Sequence, residues 1–157
     1  MTNIEKFNDT VSILVNAYLN NELEHGNCAA CAVGNIIASK RGVKPVLSCE
    51  MVANGGRYRF SDGSFPAWID VFITRTRFSK QIFVLDGYIG EAKEEIDLTG
   101  YSVFDLAKIE FAFERALNQD TEERMFEGLM NCVDVLAEIH GVPLTTTESA
   151  KQLFVRA

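Results

Sequence analysis

The strongest constraint on the fold is the spacing of the apolar residues between positions 120 and 141. They recur at alternating intervals of four and three, which places them on one face of an α-helix. Asp120 and Glu123 fit an N-cap and its third helical residue, and Gly141 followed by Pro143 ends the pattern. The chain therefore contains a long amphipathic helix with one side to bury. The residues of this apolar face are Met125, Leu129, Cys132, Leu136 and Ile139.

Residues 3–24 predict a second amphipathic helix with similar spacing. Thr2 and Glu5 fit a capping box at its start, and His25-Gly26 supplies a C-terminal stop. The predicted apolar face consists of Ile4, Phe7, Val11, Leu14, Val15, Tyr18 and Leu19.

A third helix is predicted from Ser102, which resembles a capping box with Asp105, to about Leu117. Because a very short link separates it from the helix that Asp120 begins, the two are expected to pack antiparallel as an αα-hairpin. The predicted buried face consists of Leu106, Ile109, Phe113, Ala116 and Leu117. The predicted acidic outer face carries Glu110, Glu114, Glu122, Glu127 and Glu138.

Residues 28–38 are apolar on nearly all sides, which is typical of a helix at the centre of a bundle. Asn27 is predicted to cap this helix, and Gly42 followed by Pro45 to close it. Small side chains are expected to let neighbouring helices approach it closely. These residues are Ala29, Ala30, Ala32 and Gly34.

Residues 43–100 carry the weakest pattern. Turn signals at 54–56 and 61–63 flank Arg57-Tyr-Arg-Phe60, which suits a short hairpin. Pro66 followed by apolar residues favours a helix start, whereas residues 82–85 fit a buried strand as well as a helix. We expect a helix and then an extended segment here.

Together these patterns predict a mainly α fold. We expect a bundle of about five helices in a single domain over residues 1–157, in which residues 43–100 form a partly irregular insertion or a small sheet of short strands. The last helix is predicted to be short, to be capped by Thr145 with Glu148, and to run toward Phe154.

The formal net charge is −7, which favours solubility and opposes loose binding to nucleic acid or anionic lipid. The charge is uneven, since residues 40–80 carry 8 basic and 3 acidic side chains and residues 81–157 carry 6 and 15. The N-terminal residues do not resemble a signal peptide, and no apolar run approaches the roughly 20 residues that a membrane span needs. We expect a cytoplasmic protein whose cysteines are reduced.

His25, Cys28 and Cys31 form the first candidate site. Intervals of three bring helical side chains to neighbouring positions, and thiolate and imidazole are ligands that zinc prefers. The cysteine pair also suits a thiol site, because a helix N-terminus stabilises a thiolate. The competing interpretation is a pair of core cysteines on an apolar helix. A fourth zinc ligand would have to be Cys49, Cys132 or His140.

The second candidate is the basic middle segment, where arginines alternate with aromatic residues that can stack on bases. The pattern predicts binding to nucleic acid or to an acidic protein surface, including that of a second copy. A solvated loop with its rings turned inward explains it equally well. The arginines are Arg57, Arg59, Arg75 and Arg77.

The sequence contains none of the common catalytic motifs, such as a phosphate-binding glycine loop or a nucleophile elbow. Carboxylates at intervals of four on the hairpin suit Mg²⁺, yet most such pairs are solvated faces. We therefore favour a non-enzymatic interaction or accessory protein that binds a protein partner or itself. A zinc or thiol site and nucleic-acid binding remain the alternatives.

Two stretches, HGNCAACAVGNIIA at residues 25–38 and MFEGLMNCVDVLAEIHG at residues 125–141, resemble segments of small proteins from bacterial phage and prophage regions. They cover about a fifth of the chain. The resemblance implies a mobile-element context and assigns no functional residue.

Overall fold

The computed structural model describes residues 2–51, 57–71 and 90–155. Within these ranges no strand forms, and an isolated antiparallel bridge joins Pro45 to Phe60. A 3-10 helix spans Ser48–Glu50, and residues 68–71 are helical. The prediction of a mainly α bundle is confirmed, with six main helices in place of about five. They are α1 (Asn3–Leu19), α2 (Ala32–Arg41), α3 (Glu91–Thr99), α4 (Val103–Glu114), α5 (Thr121–His140) and α6 (Leu144–Lys151).

The hairpin of α4 and α5 forms the most extensive helix pair described. Both predicted caps are present: the Ser102 hydroxyl accepts the Asp105 N–H, and the Asp120 carboxylate accepts two N–H groups in the first turn of α5. The predicted end of α4 is wrong. The helix stops at Glu114, and Leu117 is 84% exposed, because the link turns toward α5 and its backbone bonds there.

Helix α1 begins at the predicted capping box of Thr2 and Glu5 but ends earlier than predicted, at Leu19. Asn21 adopts a left-handed conformation with φ 56°, which Asn tolerates better than most side chains. The chain therefore turns before residue 24. Ile4 and Leu19, predicted on the buried face, are 49% and 44% exposed, because they lie in the outermost turns of the helix.

Helix α2 is central, as predicted: every residue from Ala32 to Ala38 is buried, and α2 contacts α1, α3 and α4. Its predicted start is wrong. Cys31 is the N-cap, its Sγ accepting the Gly34 N–H, whereas Asn27 caps the preceding turn by accepting the Ala29 N–H. Gly42 ends the helix in the left-handed conformation that the sequence indicates.

The predicted cap of the last helix is also wrong. Helix α6 follows Pro143, whose carbonyl accepts both the N–H and the hydroxyl of Thr147, so the helix begins one residue before Thr145. The turn at 61–63 is confirmed, with Gly63 at φ 85°. The predictions for residues 54–56 and 82–85 lie outside the described residues.

The buried side chains form one cluster that includes residues from the weakly patterned middle. Trp68 and Phe60 are fully buried in it beside Phe7 and Phe113. The described part of the middle segment therefore belongs to the core. No helix among the described residues combines the length and the apolar character needed to cross a membrane.

A substitution at Gly34 tests how closely the segment before α2 packs on this helix. A Cβ here would lie 2.5 Å from the carbonyl carbon and oxygen of Ala29, so the close approach is to the preceding backbone and not to a neighbouring helix. Helix propensity alone would favour Gly34→Ala by about 1 kcal/mol. Because backbone must move, we expect Gly34→Ala to lower the free energy of unfolding by about 2 kcal/mol, measured by urea denaturation.

The matched control is Ser39→Ala on the exposed face of the same helix, for which we expect little change. A Gly34→Ala protein as stable as this control would contradict the packing.

Candidate functional site

The segment that contains the first candidate site is a buried turn. Its backbone carbonyls are satisfied by side chains from elsewhere: Asn35 donates to the Ala30 and Cys31 carbonyls at 3.0 and 3.1 Å, and the Trp68 indole donates to the Cys28 carbonyl at 3.0 Å. Buried backbone groups require such partners. These bonds hold residues 27–31 against α2 in a non-helical conformation.

His25 anchors this turn to α4. Its ring stacks on Phe113 with centroids 4.2 Å apart, and its Nε2–H donates to the Phe113 carbonyl at 3.0 Å. The next N–H, of Gly26, donates to the Glu114 carboxylate at 3.0 and 3.3 Å. Burial lowers the pKa of His25, which favours the neutral ring. The histidine thus has a packing role that its spacing to the cysteines does not reveal.

The structure places Cys28 and Cys31 in the same turn, the first partly buried and the second fully buried. Among the described residues, no three or more His, Cys, Asp or Glu side chains are grouped so that they could hold a metal ion. Of the candidate fourth ligands, Cys49 is exposed, Cys132 directs its thiol to the Ile109 carbonyl, and His140 bonds to Tyr101. A zinc site on His25, Cys28 and Cys31 stays a prediction.

The environment of the two thiols opposes the thiolate form. Burial raises the pKa of Cys28 to about 11 and raises that of Cys31 well above its ordinary value. The thiolate is the nucleophile, so neither thiol is activated at neutral pH.

We expect one fast-reacting thiol in the folded protein. Cys49 is exposed, whereas Cys31 and Cys132 are buried and Cys28 has a raised pKa. Brief treatment with N-ethylmaleimide followed by mass spectrometry should show a single adduct at Cys49, which Cys49→Ser removes. Unfolded protein should take up 4 adducts. Rapid modification of Cys28 in native protein would argue for an activated thiol.

Glu110 was predicted to lie on the acidic outer face of the hairpin, and this prediction is wrong. Its carboxyl points inward from α4 to the N-terminus of α2, where it faces the Cys31 thiol and the Val33 N–H. Its Oε1 is out of contact with solvent and has no hydrogen-bond partner among the described residues. Burial is the main reason that the pKa of Glu110 rises from 4.5 to about 7, and the nearby Glu114 carboxylate adds to the shift.

The raised pKa of Glu110 makes stability depend on pH. The folded state holds this proton more tightly than the unfolded chain does. The proton therefore adds fully to the free energy of unfolding below pH 4.5, and this contribution is lost as the pH rises through about 7. At about 1.4 kcal/mol per pKa unit, the loss is about 3 kcal/mol. We expect Glu110→Gln, which mimics the neutral acid, to remove this pH dependence and to be the more stable protein at pH 8.

Urea denaturation across this pH range measures the difference, and Glu138→Gln, on the exposed face of α5, is the control for removing a charge. If the Glu110→Gln variant were less stable than the original protein by the same amount at every pH, Glu110 would be a charged carboxylate bound at the N-terminus of α2 and not a buried neutral acid.

Of the arginines in the second candidate site, the structure describes Arg57 and Arg59, and these two do not form a purely basic surface. The Arg57 guanidinium lies 4.0 Å from the centroid of the exposed Phe65 ring, in a groove that also contains Asp70 and Glu91. The Nη1 of Arg59 is buried without a hydrogen-bond partner among the described residues. Arg75 and Arg77 lie outside the described residues, so joint nucleic-acid binding by the arginines stays a prediction.

A different surface stands out at the start of α5. An open groove of about 490 Å³ lies between this helix, the α4–α5 link and the end of α1, and we call it the acidic groove. Three of its lining residues are glutamates and two are aromatic, and no Lys or Arg lines it in the described chain. The lining residues are Tyr18, Asn118, Glu122, Glu123, Phe126 and Glu127.

Hydrogen bonds preorganise the acidic groove. The Asn118 side chain donates to Glu123 at 2.6 Å, and the Asn118 backbone N–H donates to Glu127 at 3.0 Å. Phe126 stays 41% exposed, and the neighbouring Leu117 is more exposed still. The helical pattern contains a signal for this site, since Phe126 lies off the apolar stripe of α5 among glutamates.

In comparisons with protein-family models, curated proteins and solved structures, nothing matches this chain. The resemblance to phage and prophage proteins stays a prediction.

Proposed function

We propose that this chain is a non-enzymatic interaction protein that binds a basic segment of a protein partner in the acidic groove. The observation that carries the proposal is the combination of three glutamates with exposed apolar surface in one groove, without a basic lining residue among those described. Exposed apolar surface next to fixed charge is characteristic of interaction sites.

The chemistry of the groove defines the partner. Carboxylates attract Arg and Lys, and the exposed face of Phe126 favours cations through its ring quadrupole. Leu117 adds apolar area beside the groove. A partner segment that alternates Arg with aliphatic residues would satisfy all three features.

The carboxylates of Asp120, Glu122 and Glu123 also favour the positive end of the α5 dipole, which is a structural reason for acidic residues here. That effect does not require an exposed aromatic ring among them. The exposure of Phe126 therefore distinguishes a binding role of this surface from a purely helix-stabilising role of its carboxylates.

We place this role in the cytoplasm of a host that carries the gene on a mobile element. The free state of all four cysteines is compatible with a reducing compartment.

The test is fluorescence anisotropy with a labelled short peptide that alternates Arg and Leu, compared with one in which Glu replaces Arg. We expect only the basic peptide to bind, with an affinity that falls as salt is added. Phe126→Ala and Glu123→Gln should each weaken binding, Phe126→Ala by about tenfold, equivalent to about 1.4 kcal/mol.

The matched controls are Phe111→Ala and Glu94→Gln, which lie outside the groove on α4 and α3. Equal binding of both peptides, or equal effects of groove and control variants, would contradict the proposal. Concentration-dependent self-association that Phe126→Ala abolishes would identify the partner as a second copy.

A further inference from the structure

A second cavity, of about 290 Å³, lies where α1, the α3–α4 connection and the end of α5 meet. A row of three hydrogen-bonded side chains lies along it. The Tyr101 hydroxyl is 2.6 Å from the Thr10 hydroxyl and 2.7 Å from Nε2 of His140. Thr10 and His140 are 3% and 8% exposed. The row joins three separate parts of the fold at the cavity wall.

The row of hydrogen bonds can be protonated in two ways. If the Thr10 hydroxyl donates to the Lys6 carbonyl, its oxygen accepts from Tyr101, and the Tyr101 oxygen accepts from Nε2–H of His140. If the Thr10 hydroxyl donates to Tyr101, the Tyr101 hydroxyl donates to Nε2, and the proton of the neutral His140 ring lies on Nδ1. Both arrangements hold His140 and Tyr101 together at the cavity wall.

Besides the ion pair of Asp9 and Lys40, two opposite charges line the same cavity, Lys6 from α1 and Asp105 from the first turn of α4. Both act on His140: Lys6 lowers its pKa and Asp105 raises it, while burial is the largest cause of a net lowering. Neither residue forms a salt bridge within the described chain, whereas the nearby Lys40 and Asp9 pair with each other at 2.6 Å.

We propose that this cavity binds a small zwitterion of the α-amino-acid type. The ligand ammonium pairs with Asp105, and the ligand carboxylate pairs with Lys6. The volume is near the low end of ligand pockets, roughly 300 Å³, which suits a small molecule. A simple anion would use only Lys6, and a simple cation would leave Lys6 unpaired.

This site is independent of the acidic groove, since the two cavities share no lining residue. Binding of an amino acid and binding of a basic peptide are therefore tested separately.

The experiment screens the full-length protein against the common L-amino acids by NMR, followed by calorimetry on any that shift the His140 and Tyr101 signals. Each one that binds is compared with the amine that lacks its carboxylate and the acid that lacks its ammonium. We expect at least one amino acid to bind, and both halves to bind at least about tenfold more weakly, since each loses one charge pair.

Lys6→Met and Asp105→Asn should each reduce the affinity by about tenfold without altering the melting curve substantially. Lys108→Met and Glu94→Gln, at exposed positions outside the cavity, should leave the affinity unchanged. The proposal is overturned if no amino acid binds, if either half-ligand binds as tightly as the amino acid, or if the Lys6 and Asp105 variants match the controls.

Discussion

The buried, non-helical backbone of residues 27–31 is the constraint around which the molecule is organised. A turn in the interior leaves carbonyl and N–H groups without helical partners, and each costs free energy unless it is paired. Asn35 of α2 and Trp68 of the middle segment supply partners from outside the turn, and Asn27 accepts the Ala29 N–H within it. Because they do so, the described part of the weakly patterned middle segment becomes part of the core, and α2 can be buried on every side.

The same burial decides what the cysteines and Glu110 can do. Cys31 caps α2, a position at which the helix dipole favours a thiolate, but burial and the neighbouring Glu110 carboxyl raise the pKa of its thiol. Excluding water disfavours both charged forms, so Cys31 stays a thiol at neutral pH and Glu110 loses its proton only as the pH rises through its pKa of about 7. The residues whose spacing suits zinc or thiol chemistry also cap α2 and pack this turn against α4.

The acidic groove and the cavity beside His140 differ in the charges that they present. The start of α5 combines carboxylates with the exposed Phe126 ring, whereas the cavity beside His140 presents one charge of each sign that forms no salt bridge within the described chain. The first arrangement favours an extended basic partner and the second a small molecule. They lie near opposite ends of α5, since Glu122 lines one and His140 the other.

Local interactions explain which features the sequence by itself determined. The caps of α1, α4 and α5, the hairpin and the central position of α2 follow from spacing and from hydrogen bonds between near neighbours. Only the tertiary structure decided that α2 starts at Ala32, that Glu110 points inward, and that Leu117 stays exposed. Spacing cannot reveal these, because each depends on which distant groups supply hydrogen bonds or exclude water. The row from Thr10 to His140 unites residues far apart in sequence, so no single helical pattern contains it, whereas all but Tyr18 of the acidic groove come from residues 118–127.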